Sequence, residues 1–186
     1  SVVILNYNTL ELTRTCLTTV LSSRLTGYNM EVIVADNGST DGSTAMITRE
    51  FPGVHLIKNG KNLGFAAGNN PGIKKAKGRY VLLLNTDTEV PPDTLAVMIA
   101  YMDSAPDVGA STCKILLPDG SMDPACHRGF PTPWAAVTYL TKLEKLFPTS
   151  RLFGQYHQGY KDLRGIHEVD CIVGAFFMVR REVIAE

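Results

Sequence analysis

The chain has 186 residues, of which 45% are hydrophobic and 19% charged, a composition typical of one folded globular domain. Eighteen basic and eighteen acidic residues give a net charge of zero, which excludes a bulk positive field that attracts nucleic acid or anionic lipid. No apolar run approaches the ~20 residues of a membrane span. The four cysteines and four histidines lack metal-ligand spacing, so we predict reduced thiols and no zinc site.

Short apolar runs and helical patterns alternate over the first hundred residues. A continuous run of β-branched and aliphatic residues is typical of a strand that is covered on both faces. Such strands are predicted at Val2–Leu5, Glu31–Ala35, Val54–Ile57 and Tyr80–Leu84. Helices are predicted from an N-cap at Thr9 with Gly27 ending the segment, at Phe65–Lys77, and at Thr94–Met102 behind Pro91 and Pro92.

The second half of the chain is less regular. Val108–Leu116 has the pattern of a strand, and His167–Val179 is predicted to return as an extended segment. Between them, the proline- and glycine-rich stretch from Pro118 to Gly165 contains one predicted helix, Ala135–Leu146. Strands that alternate with helices predict an α/β fold with a mainly parallel, Rossmann-like sheet flanked by helices, and an irregular excursion before the last strand.

Polar residues follow three of the predicted strands directly. The first strand ends in Asn6-Tyr7-Asn8, the second in the loop Asp36–Gly42, and the most apolar strand in the segment Asn85–Glu89. Ligands of open parallel sheets bind beyond the carboxyl ends of the strands. We therefore expect carboxylates, amides and an aromatic ring to converge on one edge of the sheet and to form a ligand site there.

Individual residues at this edge suit the parts of a nucleotide. Asp36 follows a wholly apolar strand and could accept the imide N–H of uracil or thymine, while Tyr7 offers a flat face for a base. Asp87 could hold Mg²⁺ or Mn²⁺ against a diphosphate, because hard cations often take one or two protein carboxylates plus substrate phosphates. The structural alternatives are a turn with a helix cap for Asp36–Gly42 and a core position for Tyr7.

A glycine-rich segment, Asn62–Gly72, precedes and enters the third predicted helix. It lacks the lysine of a P-loop and differs from the dinucleotide fingerprint GxGxxG. Close packing of the helix on the sheet explains some of its glycines, and close approach of backbone to a ligand explains the others. On the second interpretation Asn62, Gly64 and Asn69 are candidate nucleotide-binding residues.

Four segments in this order, VVILNYN, VIVADNGSTDGS, NLGFAAGNNPGI and GRYVLLLNTDTEV, resemble the inverting family 2 glycosyltransferases, which have a GT-A fold. The later HRGFPTPW and VDCIVGAFFMVRREV resemble a bacterial, rhamnosyltransferase-like subgroup of that family. The resemblance spans nearly the whole chain. It implies a single GT-A domain over 1–186, with a nucleotide-sugar-binding half at 1–116 and the start of an acceptor-binding half at 117–186.

The resemblance also implies roles for individual residues. Leu5 and Tyr7 would border the base, and Asp36 would read its N3–H. Thr86 and Asp87 fall where the family places its DxD-type motif on ribose and metal, although Asn85 stands where many members have a carboxylate. Gly174 and Ala175 match a small pair on the acceptor side, for which tight strand packing is the alternative interpretation.

The predicted function is transfer of a sugar from a UDP- or dTDP-sugar, with dTDP-rhamnose as one candidate, to a saccharide or lipid-linked acceptor in cell-surface polysaccharide synthesis. The alternatives are a sugar-1-phosphate nucleotidyltransferase and an inactive nucleotide-binding module. The chain begins in a predicted strand and ends in a predicted helix, so we interpret it as part of a longer protein. We expect the general base beyond Glu186. We expect a cytoplasmic location, with peripheral association at the inner face of the plasma membrane as an option. Any membrane contact is expected only through segments outside this chain.

Overall fold

The computed structural model describes residues 1–185, with side chains through residue 184. The chain forms two compact units. The first consists of Ser1–Ser111 together with the chain from Gly174 onward, and the second of Thr112–Val173. The first unit contains the whole six-stranded sheet, so it also contains the predicted ligand edge.

The sheet has a parallel half and an antiparallel half. Its strands are β1 (Val2–Asn6), β2 (Val32–Asp36), β3 (His55–Lys58), β4 (Tyr80–Asn85), β5 (Ala110–Ser111) and β6 (Phe176–Arg180). They lie in the order β3-β2-β1-β4-β6-β5. The first four strands are parallel to their neighbours, whereas β6 is antiparallel to both β4 and β5. The predicted α/β fold with a mainly parallel sheet is confirmed, and the chain's return strand supplies the antiparallel part.

Helices cover the sheet and connect its strands. Those of the first unit are α1 (Leu10–Leu21), α2 (Ser43–Glu50), α3 (Phe65–Lys75), α4 (Thr94–Ser104) and α7 (Arg181–Ala185). The core forms because β1, β2 and β4 are apolar on both faces, and Val3, Ile33 and Val81 are almost completely buried. The predicted strands and helices of the first hundred residues are therefore present. The helix α2 was not predicted, because only Met46 and Ile47 give it an apolar side.

The first helix begins differently from the expectation for Thr9. Thr9 occupies the N-cap position, but its side chain does not cap the helix. The carboxylate of Asp41 instead accepts the Leu10 N–H at 2.8 Å, and it also accepts the Ser43 N–H at the start of α2 at 3.0 Å. The Asp41 carboxylate therefore accepts one N–H in the first turn of each of two helices. The Thr9 side chain is then available for the site described below.

The predicted strand Val108–Leu116 is wrong in its length. Only Ala110 and Ser111 pair in the sheet, with Val179 and Met178 of β6. The strand is this short because β5 is an edge strand that pairs only with β6, and the chain enters the second unit at Thr112. The end of the predicted strand lies outside the sheet, where Leu116 forms an isolated antiparallel bridge with Met122.

The second unit contains little regular structure, in agreement with the predicted excursion. It has two short α-helices, α5 (Pro133–Leu140) and α6 (Leu143–Leu146), and one 3₁₀ turn at Pro124–Cys126. The single helix predicted over Ala135–Leu146 is wrong, because Lys142 adopts a left-handed conformation with φ +62° and interrupts it. No helix within residues 1–185 combines the length and the apolar character that a membrane crossing requires.

Candidate active site

The buried side chain of Asn6 joins the carboxyl ends of three strands. Its amide group donates to the Asp36 Oδ1 of β2 at 2.7 Å and to the Ser43 Oγ of α2 at 2.8 Å. Its Oδ1 accepts the hydroxyls of Thr9 and Thr13 at 2.9 and 2.8 Å. The Thr9 hydroxyl lies in turn 3.2 Å from that of Thr86, beyond β4. The predicted convergence of these strand ends is therefore a continuous hydrogen-bonded network.

Asp36 lies at the centre of that network and is only 2% exposed. Its Oδ2 accepts the backbone N–H groups of Gly38 and Ser39 at 3.1 and 3.0 Å, while its Oδ1 accepts the Asn6 amide. Three donors compensate for the loss of water around the carboxylate. A carboxylate has about four acceptor positions, so one remains for a ligand donor.

A second buried amide, Asn37, fixes the glycine-rich segment. Its Nδ2 donates to Asn62 Oδ1 at 3.3 Å and to the Gly64 carbonyl at 3.1 Å, and its Oδ1 accepts the Asn59 amide at 2.8 Å. Asn59 also donates to the Gly68 carbonyl at 3.1 Å. These contacts hold the start of α3 against the end of β2.

The glycines of α3 allow the helix to lie close to the sheet. A Cβ at Gly68 would be 2.7 Å from the Leu5 side chain, and one at Gly72 would be 2.5 Å from the Val3 side chain. Nothing lies within 4 Å of a Cβ at Gly64, whose φ of +77° is itself unfavourable for other residues. Close packing therefore explains Gly68 and Gly72, and backbone conformation explains Gly64.

The segment after β4 presents a free carboxylate. Asp87 is exposed and forms no hydrogen bond or ion pair with a residue in the described range 1–185, and the nearby Glu89 is exposed as well. Burial, together with the charge of Asp87, raises the pKa of the Cys16 thiol to about 12. Cys16 lies beneath this segment, with its Sγ 3.5 Å from the Asn85 carbonyl. The carboxylate of Asp87 thus faces solvent above a buried, neutral thiol.

The small pair before β6 lies beside both β4 and α3. The Ala175 carbonyl accepts the Asn85 N–H at 3.1 Å and the Thr88 hydroxyl at 3.4 Å. A Cβ on Gly174 would be 3.0 Å from the ring of Phe65, the first residue of α3. Gly174 therefore leaves room for that half-exposed aromatic ring.

The remaining predicted residues occupy different environments. Tyr7 is 46% exposed directly after Asn6, so its ring is open to a ligand and is not a core residue. Asn62 contacts the Gly64 N–H at 2.9 Å through its Oδ1. Asn69 is buried and donates to the Phe65 carbonyl of its own helix at 2.9 Å, so this amide stabilises α3.

Asn6 and Asn37 lie at the predicted strand ends, but their role in organising the site was not predicted, and Asn59 and Phe65 were not predicted as site residues at all. Their positions beside strand ends and glycines were the available signal. Within residues 1–185, no group of three or more histidine, cysteine or acidic side chains could hold a metal ion by itself. A divalent cation at Asp87 would consequently need oxygen ligands from a substrate, as is common for Mg²⁺.

Comparison with known sequences identifies the family of this chain. The family model described as Glycosyl transferase family 2 matches residues 1–186. The chain belongs to this family. The six-stranded sheet flanked by helices is the GT-A fold of glycosyltransferases, as the resemblance implied.

Two curated relatives are bacterial proteins, one named for succinoglycan biosynthesis and one for rhamnosyl transfer. The succinoglycan biosynthesis protein ExoO of Rhizobium meliloti is 38% identical over 80 residues, which cover 42% of this chain and 23% of that protein. The N-acetylglucosaminyl-diphospho-decaprenol L-rhamnosyltransferase of Mycobacterium tuberculosis is 28% identical over 110 residues, 53% of this chain and 36% of that one. The chain thus spans about a third or less of the length of these relatives.

A similar solved structure is the mannosyltransferase PcManGT from Pyrobaculum calidifontis in complex with GDP-Man and Mn²⁺. The two are 28% identical with a TM-score of 0.56, and the similarity covers 63% of this chain and 35% of that one.

Proposed function

We propose that the edge formed by β1, β2 and β4 binds the nucleoside diphosphate of a sugar donor, in an enzyme that transfers the sugar to a saccharide or lipid-linked acceptor. One observation carries this proposal. The Asn6 network links the polar ends of the three strands and buries Asn6 and Asp36, yet it leaves the ring of Tyr7 and the carboxylate of Asp87 exposed at the same edge. An aromatic face and a free carboxylate are the groups that a base and a cation-bound diphosphate require.

The proposed base contacts are stacking on Tyr7 and a hydrogen bond to Asp36, with Leu5 beside them. The remaining acceptor position of Asp36 suits the imide N–H of uracil or thymine, which adenine lacks. The relative from Pyrobaculum calidifontis binds a guanine nucleotide, and guanine also carries a ring N–H donor. A ring N–H donor alone therefore does not distinguish guanine from uracil or thymine. We propose a preference for UDP or dTDP, and a comparison of nucleotides tests it.

The residues after β4 fit a divalent cation. Asp87 is an exposed carboxylate without a protein partner in the described range, and the structure of the mannosyltransferase supports a cation because it contains Mn²⁺ beside its nucleotide sugar. When bound, Mg²⁺ or Mn²⁺ neutralises negative charge on the diphosphate that leaves. The Thr86 hydroxyl accepts a hydrogen bond from Thr9 at 3.2 Å, and we propose it as the contact to the ribose or the diphosphate.

The proposed transfer inverts the configuration at the anomeric carbon of the sugar, and it requires a base that deprotonates the acceptor hydroxyl. Asp36 is buried and occupied by three donors, and we assign Asp87 to the cation. The carboxylate of Asp170 accepts the Gln158 side-chain amide at 2.8 Å. We propose that the base lies beyond Glu186 and that Gly174 and Ala175 lie on the acceptor side. We also propose that the protein acts in the cytoplasm.

Calorimetric titration with UDP, dTDP, GDP and ADP, with and without Mn²⁺, tests the donor site. We expect Mn²⁺ to increase the affinity for the diphosphate, and Asp87→Asn to remove that increase while the thermal unfolding midpoint stays unchanged. Asp107→Asn is the matched control, because Asp107 is an exposed aspartate outside the site. If Glu89→Gln removes the effect of Mn²⁺ and Asp87→Asn does not, Asp87 is not the residue that binds the cation. If no nucleotide binds, the donor site itself is wrong.

A transfer assay then separates an enzyme from an inactive nucleotide-binding module. The full-length protein is incubated with a dTDP- or UDP-sugar and candidate acceptors, and release of the nucleoside diphosphate is measured with and without acceptor. Acceptor-dependent release supports the transferase. Formation of a nucleotide sugar from a sugar phosphate would instead support a nucleotidyltransferase, and binding without turnover would support the inactive module.

A further inference from the structure

The helix α5 of the second unit exposes its apolar side. Its sequence, PWAAVTYL, contains no charged residue, and its one threonine, Thr138, is completely buried together with Ala135. The opposite side of the helix consists of Pro133, Ala136, Val137 and Leu140, all exposed. This is the reverse of the usual arrangement, in which a surface helix turns its polar side outward.

The exposed apolar surface continues beyond the helix. We define the α5–α6 surface as the exposed apolar side chains between residues 130 and 152, namely Phe130, Trp134, Val137, Tyr139, Leu140, Leu146, Phe147 and Leu152. Leu140 is 75% exposed and Leu146 is 71% exposed. Contiguous apolar surface of this kind usually marks an interaction site.

Aromatic contacts hold the segments of this surface together. The indole N–H of Trp134 donates to the Leu152 carbonyl at 2.8 Å. The Phe153 ring lies 6.2 Å from the ring of Trp134 and 5.2 Å from that of Phe147, measured between centroids. The surface is therefore fixed by packing, although Leu140 and Leu146 remain largely exposed.

The charges beside the α5–α6 surface are mostly positive. Lys142, Lys145 and Arg151 are exposed. Glu144 is the only acidic residue between Phe130 and Tyr160, and it is buried against the imidazole of His157. One exposed carboxylate from outside this segment, Asp170, lies 3.4 Å from the Phe130 nitrogen at the border of the surface. The chain as a whole is neutral, so the three exposed cations against one exposed carboxylate give this surface a local positive excess.

We propose that the α5–α6 surface docks on an anionic phospholipid bilayer, with its apolar side chains in the interface and its lysines and arginine at the phosphates. Tryptophan and leucine beside basic residues form the pattern of interfacial membrane binding, and each cation near an anionic membrane contributes to affinity. A second copy of the same surface would bring like charges together, so charge complementarity favours an anionic partner. The proposal is independent of the donor site, and it differs from the expectation that any membrane contact is made only through segments outside this chain.

Trp134 allows a direct test, because it is the only tryptophan of the chain. Its fluorescence is recorded while vesicles of phosphatidylcholine alone, or of phosphatidylcholine with phosphatidylglycerol, are added to the protein. We expect a blue shift and co-sedimentation only with the vesicles that contain phosphatidylglycerol, and weaker binding at high salt because exposed charges are screened. Equal binding to both kinds of vesicle, or no binding, would overturn the proposal.

Two pairs of variants identify the surface. The double variant Leu140→Ser/Leu146→Ser should weaken vesicle binding roughly tenfold or more, because it removes apolar groups that enter the interface. Val97→Ser is its control, since Val97 is an apolar residue of α4 that is 63% exposed. Lys145→Glu should weaken binding about tenfold, whereas Lys58→Glu, on the exposed strand β3, should not.

Other occupants of the surface are outcomes of the same experiments. Light scattering measures the mass of the wild type and of the Leu140→Ser/Leu146→Ser variant over a range of concentrations. A wild-type dimer that the double variant dissociates would overturn membrane docking in favour of a second copy. If the double variant and Lys145→Glu bind vesicles as the wild type does, the proposal is also overturned.

Discussion

The side-chain amide of Asn6 lies 2.7 Å from the carboxylate of Asp36, and the two residues are register partners at the ends of the parallel strands β1 and β2. Both are almost completely buried. The pair therefore connects the fold to the proposed site, because the contact that balances the buried carboxylate also fixes the place where we expect the base to bind.

Asn6→Ala should lower the free energy of unfolding by about 3 kcal/mol, because it removes one of the three donors to the buried Asp36 carboxylate and the amide oxygen that accepts the Thr9 and Thr13 hydroxyls. Urea unfolding measures this loss. Asn70→Ala, at an exposed position of α3, is the matched control and should change stability by less than about 0.5 kcal/mol. Equal stability of Asn6→Ala and the wild type would mean that the network contributes nothing.

Asp36→Ala should weaken the binding of UDP or dTDP by roughly ten- to hundredfold, whereas the binding of ADP, whose adenine lacks a ring N–H donor, should change little. The ratio of the UDP and ADP affinities is the decisive measurement, since structural damage from the loss of three hydrogen bonds would weaken the binding of all nucleotides alike. Calorimetry is carried out below the unfolding temperature of the variant. An unchanged ratio contradicts the assignment of Asp36 to base recognition.

Gly72→Ala should destabilise the protein by about 1–3 kcal/mol although alanine is the better helix former, because its Cβ would be 2.5 Å from the Val3 side chain. Gly53→Ala is the control, since its Cβ would contact nothing within 4 Å. In a Val3→Ala background the cost of Gly72→Ala should largely disappear. Thermal unfolding of the four combinations measures this coupling, and strict additivity would disprove the close contact.

Acidification should destabilise the second unit through His127. Burial lowers the pKa of His127, and the nearby His167 and Lys161 act in the same direction, while the His157 carbonyl opposes them. The unfolded chain takes up a proton near pH ~6.5, whereas the folded chain does so only at lower pH. Stability is therefore full above about pH 6.5 and falls as the pH is lowered through the folded pKa.

Unfolding in urea at pH 7 and pH 5 measures this effect. His127→Gln should show a smaller loss between the two pH values than the wild type does. His55→Gln is the control, because His55 is an exposed residue of β3 and should retain the wild-type difference. Identical losses in His127→Gln and the wild type would contradict the prediction.

The sequence was sufficient to predict the sheet edge, because unbroken apolar runs such as Tyr80–Leu84 end abruptly in polar residues. It was insufficient where the contacts are distant in sequence. Asn37 looks like any turn-forming residue, and only the folded chain shows that it holds Asn59, Asn62 and Gly64 together. The break at Lys142 was equally invisible, since lysine rarely adopts a left-handed conformation.

The position of β6 between β4 and β5 sets an order on folding. The strands β1 to β4 lie within the first 85 residues and can pair with one another as soon as that length has been synthesised, because the parallel pairs β3-β2, β2-β1 and β1-β4 need no later strand. The two residues of β5 have no partner until Phe176–Arg180 arrives, although Ala110 and Ser111 are made about 65 residues earlier. On the ribosome, the chain therefore passes through a stage in which one edge of the sheet, at β4, is open, and chaperones or premature self-association would act at that stage.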